Sequence, residues 1–132
     1  GMIELVDLAP TLLEAAGIPR YAGMQGRSVL ATLKGESDAG REDIYSEYYN
    51  AMPWHPANVN PQMTMLRTDR HKLVVSHSDD DAELYDLAMD PHEHDNLWRK
   101  PGQEALKIDM MRRLLDRMAW TVDPLPVRRA DY

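Results

Sequence analysis

MTMLRTDRHKLVVSHSDDDAELYDL, from Met63 to Leu87, holds three short runs of β-branched, apolar and aromatic residues separated by turn formers. Apolar residues alternate with polar ones at Met63 and Met65 and again at Leu73 and Val75, which is the period of a half-buried strand. Thr68-Asp69-Arg70-His71 divides the first run from the second. Ser76 to Ala82, with three consecutive aspartates, divides the second from Glu83-Leu84-Tyr85-Asp86-Leu87. The spacing predicts three antiparallel strands in a meander. A sheet of that size buries one face, and the helix that follows it is the expected cover.

That helix lies between Gly102 and Trp120. Ile108, Met111, Leu114, Leu115 and Met118 fall on one face and Lys107, Asp109, Arg112, Arg113, Asp116 and Arg117 on the other. Met110, Met111 and Met118 suit a partner surface or a core, and packing on the sheet is the preferred reading. Upstream of the meander, Arg41 to Asn50 alternates Ile44, Ser46 and Tyr48 against Tyr45, Glu47 and Tyr49, which predicts a fourth strand. Ala51 to Gln62 carries three prolines and cannot continue a ladder, so it reads as a long loop. Loops of that length often bind something, and Trp54, His55 and Asn58 offer stacking and hydrogen bonding.

Ile3 to Ala16 has apolar residues at Leu5, Leu8, Leu12, Leu13 and Ala16, a helical spacing. Asp7 reads as its N-cap, Pro10 falls in the first turn, and Gly17 with Pro19 ends it. A short helix capped by Ser28 follows, running to about Lys34. The expected class is α+β: a small four-stranded antiparallel sheet packed against a long C-terminal helix and preceded by an N-terminal helix. The chain divides into an N-terminal helix and linker (1–40), an α+β subdomain (41–120) and an irregular tail (121–132).

The 132 residues fit one domain with a core of its own. There is no cysteine, which excludes disulfides, thiolate metal sites and a cysteine nucleophile. Twenty-two acidic residues against 15 basic ones, a formal charge of −7, argue against a nucleic-acid partner. No apolar run approaches the ~20 residues that span a bilayer. No signal peptide is read, no membrane partner is expected, and no compartment is assigned.

Several clusters resemble sites at first glance. His92 and His94 stand among Asp90, Glu93 and Asp95, but the run reads as a turn with solvated acids. Asp79-Asp80-Asp81 lacks the spaced oxygens and the glycine of a calcium loop. Gly23-Met24-Gln25-Gly26 lacks the length and the Lys-Ser/Thr of a phosphate loop. No serine sits in a nucleophile elbow.

Taken in order, Ile3-Glu4-Leu5-Val6-Asp7-Leu8-Ala9-Pro10-Thr11-Leu12-Leu13-Glu14-Ala15-Ala16-Gly17, Gly23-Met24-Gln25-Gly26-Arg27-Ser28, Leu66-Arg67-Thr68 with Lys72-Leu73-Val74, Glu83-Leu84-Tyr85-Asp86-Leu87, and Asp90-Pro91-His92-Glu93 with Asn96-Leu97 resemble the C-terminal third of the type I sulfatases, members of the alkaline phosphatase superfamily. The resemblance covers the chain up to Trp120. It implies a hydrolase of sulfuric esters in which a larger N-terminal domain holds the chemistry, using calcium and a formylglycine made from the Cys or Ser of C/S-x-P-x-R. That motif is missing here; Pro124-Leu125-Pro126-Val127-Arg128 is the nearest echo and has proline in the nucleophile's place.

The resemblance therefore carries over no catalytic residue, no metal ligand and no cofactor. It implies structural roles for Asp7, Lys72, Asp86 and Asp90, and it makes Trp54, His55 and Asn58 candidate substrate contacts. The expectation is a sulfatase C-terminal domain, inactive alone, or a free-standing module derived from it that binds a partner or an anionic ligand. The first helix is apolar around most of its circumference and would normally pack on the missing catalytic domain. It is expected to pair across a homodimer.

Overall fold

The computed structural model describes residues 1–38, 40–49 and 61–121. Four strands, β1 (Asp43–Tyr49), β2 (Gln62–Thr68), β3 (His71–Ser76) and β4 (Asp81–Asp86), form one antiparallel sheet in the order β1-β2-β3-β4. Ahead of it lie a 3-10 turn (Leu5–Asp7), α1 (Leu8–Ala15) and α2 (Leu30–Leu33); α3 (Glu104–Trp120) follows. The α+β class and the four-stranded sheet are as the sequence leads one to expect.

The register aligns Tyr45, Leu66, Leu73 and Leu84 in one row across the sheet. Leu66, Leu73 and Leu84 are fully buried beneath Met110 and Leu114 of α3. Each such side chain contributes about 1.5 to 3 kcal/mol by leaving water. Thr64 is buried on the same face, one row on. The apolar residues of β2 that alternate most visibly, Met63 and Met65, point the other way. Because β2 carries apolar residues at both parities, its pairing with Leu73 decides which set faces α3.

The stripe on α3 is also turned from its expected position. Met110 and Leu114 are buried, and Leu106, Met111 and Met118 pack around them, whereas Ile108 and Leu115 are exposed. Lys107 lies over the Trp98 ring at 5.5 Å, so its stem and charge cover apolar surface.

Turn chemistry sets the register. At the β2–β3 turn the Thr68 hydroxyl accepts the His71 N–H at 2.9 Å. At the β3–β4 turn Asp80 takes a left-handed conformation (φ 51°), and Ser76 donates to the Asp79 carboxylate at 3.1 Å. Beyond β4, Asp86 accepts from Ala88 and from Arg70, and Asp90 accepts the Asp95 N–H. Asn96 then closes the β4 edge: it accepts the Leu84 N–H at 3.0 Å and donates to the Ala82 carbonyl at 3.2 Å. One edge of the sheet is thereby satisfied.

Candidate functional site

The other edge, that of β1, opens onto a cleft of about 660 Å³. Ile3, Leu5 and Val6 of the N-terminal segment form one wall. Ile44, Ser46 and Met65 form the floor, and Arg117, Trp120 and Thr121 close the end at the C-terminus of α3. Tyr45, Glu47, Arg41, Glu4 and Gln25 complete the lining.

The N-terminal wall is fixed by an ion network that sequence patterns did not reveal. Asp7 is wholly buried, and each of its oxygens takes two donors. Oδ1 accepts from the Arg27 N–H at 2.9 Å and from Arg41 Nη2 at 2.5 Å; Oδ2 accepts from the Glu4 N–H at 2.9 Å and from Arg41 Nε at 2.8 Å. Burial pushes the Asp7 carboxyl up, but the Arg41 guanidinium and the two amides outweigh it and hold it at about 2. The same contact drives the Arg41 pKa up. Asp7 stands at the start of α1, yet its side chain makes no capping bond there. The expected N-cap is replaced by a clamp.

Glu4 carries the network on. Its carboxylate accepts the outward Tyr45 N–H of β1 at 2.7 Å and pairs with Arg117 of α3, which also reaches Asp43 at 3.0 Å. Thr11, one turn after Asp7, donates to the Asp7 carbonyl at 2.6 Å and accepts the Val29 N–H at 3.0 Å. Gly26 completes the joint, since a Cβ there would stand 1.8 Å from the Val6 carbonyl oxygen. The glycine in GMQGRS is thus required by close backbone contact.

This clamp turns α1 over. Its buried residues are Pro10 and Thr11, behind buried Asp7. Leu5, Val6, Leu8 and Leu12 are exposed, Leu5 at 86%. The residues that signal an inward apolar face point outward.

Among the described residues, the charged side chains Glu4, Arg41 and Arg117 of the cleft are already engaged with one another. Arg41 and Arg117 are each held by carboxylates, so neither offers an uncompensated charge to a sulfate. Burial, and then its hydrogen bond to Glu47, push the Tyr45 phenol up, which makes it a poor base or nucleophile. Among the described residues no histidine lines the cleft. A calcium ion takes six to eight oxygen ligands, and both oxygens of Asp7 are already occupied by N–H donors, so this cluster does not fit one. Among the described residues no group of three or more His, Asp or Glu side chains is placed to hold a metal.

Trp54, His55 and Asn58 lie outside the described residues, as do Pro124 to Arg128. The segment bearing the first three leaves the sheet at Tyr49 and returns at its partner Gln62. His92 and His94 stand 5.9 Å apart, ring centre to ring centre, and His77 hydrogen-bonds Thr64 at 2.8 Å. His71, beside Asp86, has its pKa lowered by burial. Among the described residues no helix is long and apolar enough to cross a membrane.

Comparison with known proteins supplies the family. Arylsulfatase K of Gallus gallus is 33% identical over 122 residues, which are 85% of this chain and 22% of that protein. The structure of BT4656 in complex with its substrate D-glucosamine-2-N,6-O-disulfate superposes with a TM-score of 0.73 at 27% identity, over 86% of this chain and 23% of that one. A phosphonate monoester hydrolase of Silicibacter pomeroyi superposes with a TM-score of 0.74 at 25% identity, over 89% of this chain and 25% of that one. The chain thus spans between a fifth and a quarter of the length of these relatives. A model of the N-sulphoglucosamine sulphohydrolase C-terminal region matches residues 1–119, and the chain belongs to that family, the C-terminal domain of the sulfatases.

Proposed function

We propose that this domain is the non-catalytic part of a sulfuric ester hydrolase, inactive by itself, and that its N-terminal face is the surface on which a catalytic portion docks. One observation carries this reading: the clamp on Asp7 buries the polar side of the N-terminal segment and holds Leu5, Val6, Leu8 and Leu12 out to water. An apolar face held outward by a built network marks an interface. The match to only 22% of arylsulfatase K leaves ample chain in such a protein to cover it. Alone, the same face pairs with a second copy.

In this reading the loop holding Trp54, His55 and Asn58 contributes contacts at the rim of a substrate site. The nucleophile and calcium belong to the docked portion, and this chain supplies no cofactor ligand. The test is turnover of a chromogenic aryl sulfate by the purified chain, with and without calcium. The expected rate equals the buffer blank in both. Turnover above blank that disappears in His55→Ala overturns the proposal and makes the chain a hydrolase in its own right.

A further inference from the structure

We infer that His71 is an acid-sensitive joint between the sheet and α3: it is seated there as the neutral imidazole, and taking up a proton weakens the domain. Its seat and its neighbours lie within the described core, so nothing in this depends on the docking proposed above.

Strand alternation fixes the seat. His71 lies two residues before Leu73 on β3, directly opposite Asp86, which lies two residues after Leu84 on β4. Side chains two apart share a face, so both stand on the face that packs beneath α3, one row beyond the leucines. The backbone holds the ring in place, because the His71 N–H donates to the Thr68 hydroxyl at 2.9 Å and the residue is paired with Asp86 in the ladder. The side chain is only 20% exposed.

The charges around the ring are already matched. Asp86 Oδ2 stands 3.9 Å from His71 Nε2, beyond hydrogen-bond reach. That carboxylate is taken by Arg70, whose Nη2 lies at 2.8 Å and whose Nε lies 3.2 Å from both oxygens, and it also accepts the Ala88 N–H at 3.1 Å. On α3, Asp109 is paired with Arg113 at 3.4 Å. On β1, Asp43, in register with Thr68, is paired with Arg117 at 3.0 Å. Each of these carboxylates has its own cation, so a proton on His71 adds a charge without a carboxylate of its own to a site with little water. Desolvation accordingly holds the His71 pKa below the ordinary 6.5; Asp86 and Asp109 pull it up, and Arg70 and Arg113 push it down. Between 6.5 and that lower value the unfolded chain binds the proton and the fold does not. Stability is therefore complete above about pH 6.5 and falls as pH drops towards the folded pKa. Asp7, at about 2 in the fold, acts well below this window.

Urea unfolding of the full chain at pH 7 and pH 5, at one protein concentration, tests this beside His71→Gln and Arg70→Gln, with the His71 ring titrated by NMR. The expected result is a wild-type ring that titrates below 6.5 and a wild-type urea midpoint that falls between pH 7 and pH 5, with a much smaller fall in His71→Gln. In Arg70→Gln the freed Asp86 carboxylate becomes the partner of the imidazolium, so the ring titrates higher than in the wild type and the acid-induced fall shrinks. A wild-type ring that titrates at or above 6.5 overturns the inference whatever the variants do. So does an equal change of midpoint in the wild type and His71→Gln, or an Arg70→Gln ring that titrates no higher than the wild type.

Discussion

Asp7 joins four separate pieces of chain: its own turn, the loop at Arg27, the start of β1 through Arg41, and α3 through Glu4 and Arg117. Its carboxyl sits at about 2 in the fold against 3.8 unfolded. The folded state therefore binds fewer protons in that range, and the stabilisation is complete above about pH 4 and lost as pH falls through about 2. The difference is worth roughly 2 kcal/mol. Asp7→Asn should lower stability at pH 7 by roughly 2 to 4 kcal/mol, since it also leaves Arg41 underpaired. Urea unfolding at several pH values measures this, and the acid limb between pH 4 and 2 should flatten in the variant. Gly26→Ala should be comparably damaging, because the Val6 carbonyl oxygen stands 1.8 Å from the new Cβ. Gly35→Ala, with open space around it but φ of +75°, should cost only about 1 kcal/mol in the same measurement. None of the network was legible in the sequence. Glu4 and Arg117 are 113 residues apart, and local periodicity carries no information about such a pair.

At the scale of elements, the strands were legible and their faces were not. Thr68 to His71 and the aspartate run mark turns by their own chemistry, and the strands follow. Which side of β2 is buried depends on its register with Leu73 and Leu84, a tertiary fact. On α3, Ile108 and Leu115 share a heptad spacing that imitates a core stripe, while Leu106 with Met110, Met111, Leu114 and Met118 form the real one. The two sets respond differently to substitution. Leu114→Ala should cost about 2 to 5 kcal/mol by cavity formation, whereas Ile108→Ser should stay within about 0.5 kcal/mol. Thermal melts of the two variants decide it, and an equal loss in both contradicts the orientation of α3. Asn96→Ala should cost about 1 to 3 kcal/mol, because the Leu84 N–H at the β4 edge loses its partner.

The whole molecule combines a closed core with an open flank. Sheet and α3 enclose five apolar side chains between them among the described residues, while the N-terminal segment is held on the β1 side with its apolar residues facing out. Its hydrophobic residues were visible in the sequence, and their direction was not, because the buried Asp7 and Thr11 that reverse α1 look like an ordinary cap and a surface threonine until Arg41 and Val29 are brought to them. That reversal leaves the domain an exposed apolar surface distinct from its core, the face on which we propose the catalytic portion docks. Sedimentation equilibrium of the wild type beside Leu5→Asp/Leu12→Asp tests this most directly. The account predicts a concentration-dependent dimer for the wild type and a folded monomer for the variant, whose melting temperature no longer depends on concentration; a wild type that stays monomeric at every concentration contradicts it.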